Sequence, residues 1–351
     1  MDLSDRPWYD NEKKWVEMQP FLLSAGYKLR PRYDPNWFPS WKVPGAERTW
    51  QDDHLPSFKD NALDAVRIRD DVKVVLKRVE TNSMELWIIK HLLRIQDPRN
   101  RTIPLFDVIS VPPDGRYSLL VMPYTRRFDH PAFHCRAEFL EAMRQFLEVR
   151  HRFLKYCILL IRISQGLQFM HDNNICHFRT AGSHFYSQDT HIGVPGIFTW
   201  NHRCSVAPVN YYYIDFGLSK YYPQGRHTAL NTGTLRTFKT IPELSLTVPY
   251  NPFKVDIFQL GLTMHKLIDT YPALKPFRSV ADRMTSTDPN DRPEPSESLE
   301  ELNSIVEQIP QQKLRAPIIE KAGTVSYLAR SAMSMVRKDY PPARKYEDMG
   351  Y

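Results

Sequence analysis

Apolar and polar positions alternate near the start of this chain and fall into longer helical periods further on. Ala62-Leu63-Asp64-Ala65-Val66-Arg67-Ile68 alternates weakly, and Val72-Lys73-Val74-Val75-Leu76-Lys77 is β-branched with a period near two, so both read as strands. Met84, Trp87, Ile88, His91, Leu92 and Ile95 recur at the spacing of one helix face. Two more strands, over 103–109 and 117–122, flank a Pro-Asp-Gly turn. From about residue 137 helical patterns dominate, and residues 255–264 are apolar nearly all round, as a buried helix requires. The expected fold is α+β, with a small strand-rich lobe (about 61–123), a larger helical lobe (about 124–306) and a crevice between them. No internal repeat is visible.

The two ends differ from this body. Residues 1–60 are rich in Trp, Pro and charge. Prolines in 26–33 and 37–41 interrupt long regular elements, while so many aromatics argue against a disordered tail. This stretch is expected to be an ordered extension that wraps a neighbouring surface. Residues 307–351 form a basic tail, in which Arg337-Lys338 and Arg344-Lys345 are too few for a nucleic-acid patch.

Composition narrows the class. Of 351 residues, 42% are hydrophobic and 25% charged, the balance of an ordinary globular protein. The four cysteines (Cys135, Cys157, Cys176, Cys204) are scattered, without the close pairs of zinc sites. Sparse thiols and the absence of a secretory signal point to a cytoplasmic or nuclear location. No stretch reaches the roughly 20 apolar residues of a membrane span. The run 156–161 is short and flanked by Arg152, Lys155 and Arg162. Net charge is +7, spread diffusely. A protein partner or substrate is expected, with no membrane and no nucleic-acid contact.

The candidate chemistry centres on Asp215-Phe216-Gly217, which follows the short apolar run Tyr211-Tyr212-Tyr213-Ile214. A carboxylate there can hold a divalent metal against nucleotide phosphates. Lys77 ends a strand, where its ammonium can reach phosphate oxygens. Glu85 lies on the following helix, placed to pair with Lys77. Val121 and Met122 lie on the connector that lines the crevice. His177 precedes Asp215, and Pro242-Glu243, Asp256 with Gly261, and Asp291-Arg292-Pro293 follow in order.

In this order the chain resembles the protein kinase superfamily over about 62–306. Lys77 matches the third-strand lysine, His177 the opening of the catalytic loop, and Asp215 the metal-binding aspartate. Pro242-Glu243 matches the end of the activation segment, and Arg292 the arginine that pairs with that glutamate. The aromatic preamble at 26–41 resembles that of a fungal group of kinase-like proteins. The resemblance implies a bilobal kinase-like fold, ATP and Mg2+ as cofactors, and Lys77, Glu85, Val121, Met122 and Asp215 around them.

The match breaks where the chemistry is done. The family's loop reads His-Arg-Asp-Leu-x-x-x-x-Asn, but here the aspartate position holds Arg179 and the asparagine position His184. Arginine cannot act as a base, and imidazole is a poor ligand for magnesium, which prefers oxygen. No catalytic base is therefore intact. Residues 62–73 contain no glycine where the family has Gly-x-Gly-x-x-Gly, so weak nucleotide binding is expected. Two explanations stand open. The protein is a pseudokinase that binds without turnover. Alternatively, it is an active ATP-dependent Ser/Thr-type protein kinase whose loop is garbled by a faulty gene model, because 149–164 reads like translated non-coding sequence.

Overall fold

A computed structural model describes residues 8–42, 60–125, 128–129, 132–147, 166–178, 209–235 and 240–321. The chain is α+β and divides into two compact units, the first holding described residues of 8–83 and 104–125, the second holding 84–103 and those from 128 onward. Met84–Ile103 thus groups with the helical unit although strands flank it in sequence.

The first unit is a five-stranded antiparallel sheet. Its strands are β1 (Tyr27–Leu29), β2 (Ala62–Arg67), β3 (Val72–Glu80), β4 (Asp107–Ser110) and β5 (Tyr117–Pro123), in the order β1-β2-β3-β5-β4. The expected strand over 103–109 begins only at Asp107. Pro104 offers no N–H to a ladder, and Ile103 donates instead to the carbonyl of Tyr213 at 3.0 Å.

Alternation gives the sheet two faces. Leu63, Ala65, Val74, Leu76, Leu119 and Val121 share one core with Trp15, Val16, Leu22, Tyr27, Leu29 and Tyr33. The N-terminal stretch is therefore built into the sheet. It supplies edge strand β1 and a helix, α1 (Asp10–Ser24), that the prolines and mixed polarity hid. Gly26, at φ 88°, makes the left-handed turn out of α1 that a side chain would resist. Trp15 is fully buried. An aromatic of about 200 Å² contributes roughly 5 kcal/mol at about 25 cal/mol/Å², before entropy is counted.

A buried ion pair fixes the same stretch. Arg32 donates to both oxygens of Glu12, at 2.8 and 2.9 Å, and the Tyr33 hydroxyl donates to that carboxylate at 3.1 Å. The Arg32 guanidinium also lies over the Trp37 ring at 5.0 Å. Such a pair survives burial only with this fork geometry and satisfied neighbours.

The second unit holds α2 (Met84–Arg94), α3 (Arg136–Leu147), α4 (Gly166–Asp172), α5 (Pro252–Thr270), α6 (Arg278–Met284), α7 (Pro295–Glu307) and α8 (Gln311–Arg315). A two-stranded ribbon pairs β6 (Ile175–Cys176) with β7 (Lys220–Tyr221). Helix α5 is the predicted buried helix. Asn251 caps it by accepting the Phe253 N–H at 2.9 Å, and Pro252 opens it. A Cβ on Gly261 would lie 2.7 Å from Thr285 Cγ2 and 2.8 Å from Met284 Cβ, so glycine lets the end of α6 approach α5.

In α2 the buried side chains are Leu86, Ile88, Ile89 and Leu92, while Met84 and Trp87 are exposed. The predicted stripe was offset because two overlapping apolar faces fit the same period. Trp87 stacks on His91 at 4.9 Å and meets Tyr221 of β7 at 5.2 Å. No helix among the described residues is long and apolar enough to cross a membrane.

Candidate functional site

The ordered centre of the second unit is Asp256, a fully buried carboxylate on α5. It accepts the backbone N–H groups of His177 at 2.8 Å and Phe178 at 2.7 Å. The Nε2 of His171, on α4, lies 3.1 Å from the same carboxylate. Burial pushes the Asp256 carboxyl up, but the His171 hydrogen bond, the two nearby imidazoles and the His177 N–H outweigh it and hold the group below its ordinary value. The charge thus has partners on three sides, as a buried charge requires.

These bonds shape the chain that leaves β6. Phe178 has φ 59°, in the left-handed region that non-glycine residues avoid. Gln259, one turn along α5 from Asp256, donates to the Phe178 carbonyl at 3.2 Å. Helix α5 therefore holds both ends of a strained residue. Cys176 beside it donates its thiol to the Pro252 carbonyl at 3.1 Å. Burial, then the Asp256 charge, pushes that thiol well above its ordinary value, so Cys176 is an inert packing residue.

His177 carries the connection to Asp215. Its ring Nε2 donates to the carbonyl of Ile214 at 3.1 Å, and its edge meets the Phe216 ring at 5.0 Å. The Ser219 hydroxyl donates back to the His177 carbonyl at 3.2 Å. Tyr213 makes a single parallel bridge to Thr102, outside any named strand. Two of the run's tyrosines, Tyr211 and Tyr213, are buried, so its apolar character reflects core packing.

Asp215 itself is half-buried and left-handed, with φ 64° and ψ 61°. A strained residue held by its surroundings is where function concentrates. A Cβ on Gly217 would lie 3.3 Å from Glu85 Oε2 and 3.6 Å from Asp215 Oδ1. The Glu85 and Asp215 carboxylates thus flank one glycine. Two hard anionic oxygen donors around one small residue are the donor type that magnesium takes.

The other predicted residues lie in the sheet unit. Lys77 is buried on β3, opposite Ala62 on β2 and Leu120 on β5. Alternation puts Lys77, Val75, Leu120 and Met122 on one face, and Val121 on the other, within the core beneath α1. Met122 and Lys77 therefore share a face that Val121 does not. The β2–β3 turn carries Asp70, which receives Arg67 at 2.9 and 2.7 Å, and Asp71 at φ 58°. Arg179 and His184 lie outside the described residues, as does the run 149–164.

The Glu243–Arg292 pair implied by the resemblance is present. Arg292 donates to both Glu243 oxygens, through Nη2 at 2.8 Å, and also to the carbonyls of Ser286 at 2.8 Å and Lys254 at 2.9 Å. One cluster escaped sequence reasoning. His134, Cys135 and Glu138 place ligand-type atoms within 4.8 Å of one another. The spacing His-Cys-x-x-Glu at a helix start was the available signal. The chain matches no protein-family model and no curated protein.

Proposed function

We propose that this chain is a protein-kinase-like domain that binds ATP with magnesium weakly and does not transfer phosphate, a pseudokinase acting through a protein partner. The observation that carries the reading is the chain of hydrogen bonds from Asp256 through His177 to the carbonyl of Ile214, the residue before Asp215. It ties the backbone at His177 to the peptide that leads into Asp215, which supports reading the two as parts of one site.

In this reading Lys77 contributes a phosphate-binding ammonium, and Asp215, with Glu85 beside it, contributes the carboxylates that fit magnesium. Bound magnesium neutralises charge on the phosphates. Met122, on the Lys77 face, is the apolar contact for the base. The missing step is proton removal from a substrate hydroxyl. Arg179 stands at that position and is permanently protonated.

Weak affinity follows from the β2–β3 turn. Asp70 and Asp71 are two carboxylates in a turn with no glycine. Arg67 already neutralises Asp70, so the weakness lies in the backbone, which no glycine there opens to a phosphate's approach. The test is thermal unfolding of the purified chain with and without Mg·ATP. A saturable rise in midpoint that is lost in Lys77→Ala and in Asp215→Ala supports the reading. A rise unaffected by both variants, or none at millimolar nucleotide, rejects it.

A further inference from the structure

The entrance to α3 gathers three unlike side chains that neither the sheet nor the Asp215 arrangement uses. An imidazole nitrogen of His134, the Cys135 sulfur and a Glu138 carboxylate oxygen lie within 4.8 Å of one another. Cys135 and Glu138 are 1% and 2% exposed, and His134 is half-buried. We propose that His134, Cys135 and Glu138 form a binding site for a zinc-class divalent cation, with water as the fourth ligand.

The backbone around the cluster is pinned on two sides. The His134 N–H donates to Glu138 Oε2 at 2.7 Å. Ile318 donates to the His134 carbonyl at 2.8 Å, and Cys135 bridges Pro317. Capping of α3 accounts for the Glu138 position alone. It does not account for a thiol and an imidazole converging on the same carboxylate. The N–H held by Glu138 is also the kind of support that orients a ligating carboxylate.

Donor type selects the metal. One nitrogen, one sulfur and one oxygen suit a borderline-soft ion, whereas magnesium and calcium take oxygen alone. Bonds of about 2.0–2.3 Å in a tetrahedral site hold ligand atoms roughly 3.5 Å apart. Ligation would draw the three ligand atoms in from their present separations of up to 4.8 Å. Binding displaces the Cys135 thiol proton to solvent and takes the neutral imidazole. The cation would tie the start of α3 to the 316–318 segment through the backbone of His134 and Cys135.

The test is a competition titration of the chelator-stripped full chain with Zn2+ against a chromophoric chelator, repeated with Co2+. The expected result is one tight equivalent, with a thiolate-to-cobalt charge-transfer band. Cys135→Ser removes the band, and His134→Gln weakens binding about 10-fold or more. Cys204→Ser leaves both unchanged. His134 is partly exposed, so His134→Gln serves should Cys135→Ser fail to fold. Absence of a bound equivalent overturns the proposal, as does tight binding that survives His134→Gln.

Discussion

The Asp256 carboxylate accepts the Phe178 backbone N–H at 2.7 Å, and Phe178 is held at φ 59°. A buried charge is thus used to fix a strained turn. Asp256→Ala removes the acceptor of two N–H groups and is expected to cost about 3 kcal/mol in chemical denaturation. The pH dependence has a definite sign. The folded group titrates below the ordinary aspartate value of 3.8, so its contribution is complete above that value and is lost as pH falls through the folded one. Wild type should therefore lose stability more steeply than Asp256→Asn below about pH 4, and parallel acid unfolding curves would contradict this.

Arg292 is fully buried in its side chain, and its fork spans Glu243 and two carbonyls. Arg292→Ala leaves a carboxylate without its partner and is expected to cost about 3–5 kcal/mol. Arg292→Lys keeps the charge but lacks the fork, so it should recover less than half of that loss. Urea midpoints of the three proteins decide the matter.

Gly217 separates two readings of the Glu85 and Asp215 carboxylates. A methyl there would crowd Glu85 Oε2 at 3.3 Å and come into ordinary contact with Asp215 Oδ1 at 3.6 Å. Gly217→Ala is expected to weaken Mg·ATP binding about 10-fold while moving stability by less than about 1 kcal/mol, because the position is exposed. Calorimetric titration with Mg·ATP reads the first effect. Unchanged affinity would mean that the two carboxylates do not serve the metal.

Trp15 anchors α1 on the sheet. Trp15→Ala opens a cavity in the core that Trp15 shares with Tyr33 and Leu76 and should cost about 3–5 kcal/mol. A loss below about 1 kcal/mol would mean that the N-terminal stretch is dispensable to the sheet.

Strands β2 and β3 were legible from their near-two period, and β5 and helix α5 as continuous apolar runs of strand and helix length. The Arg292–Glu243 pair was legible only through the order of motifs, since 49 residues separate the partners. Helix α1 was hidden by Pro20 and by Glu12, whose burial makes sense only once Arg32 closes on it. The division of β5 between two faces was also hidden. Residues 118–123 are buried throughout, so pattern alone does not separate Val121 from Met122. The His134 cluster is a mixed ligand set, without the close cysteine pair that marks a zinc site in sequence.

The most direct measurement is transfer of radiolabelled γ-phosphate from ATP by the purified chain, to itself and to a generic protein substrate, beside Asp215→Ala. The pseudokinase reading predicts that the two proteins give the same background signal. Transfer by the wild type that Asp215→Ala abolishes would contradict it and make the chain an active kinase.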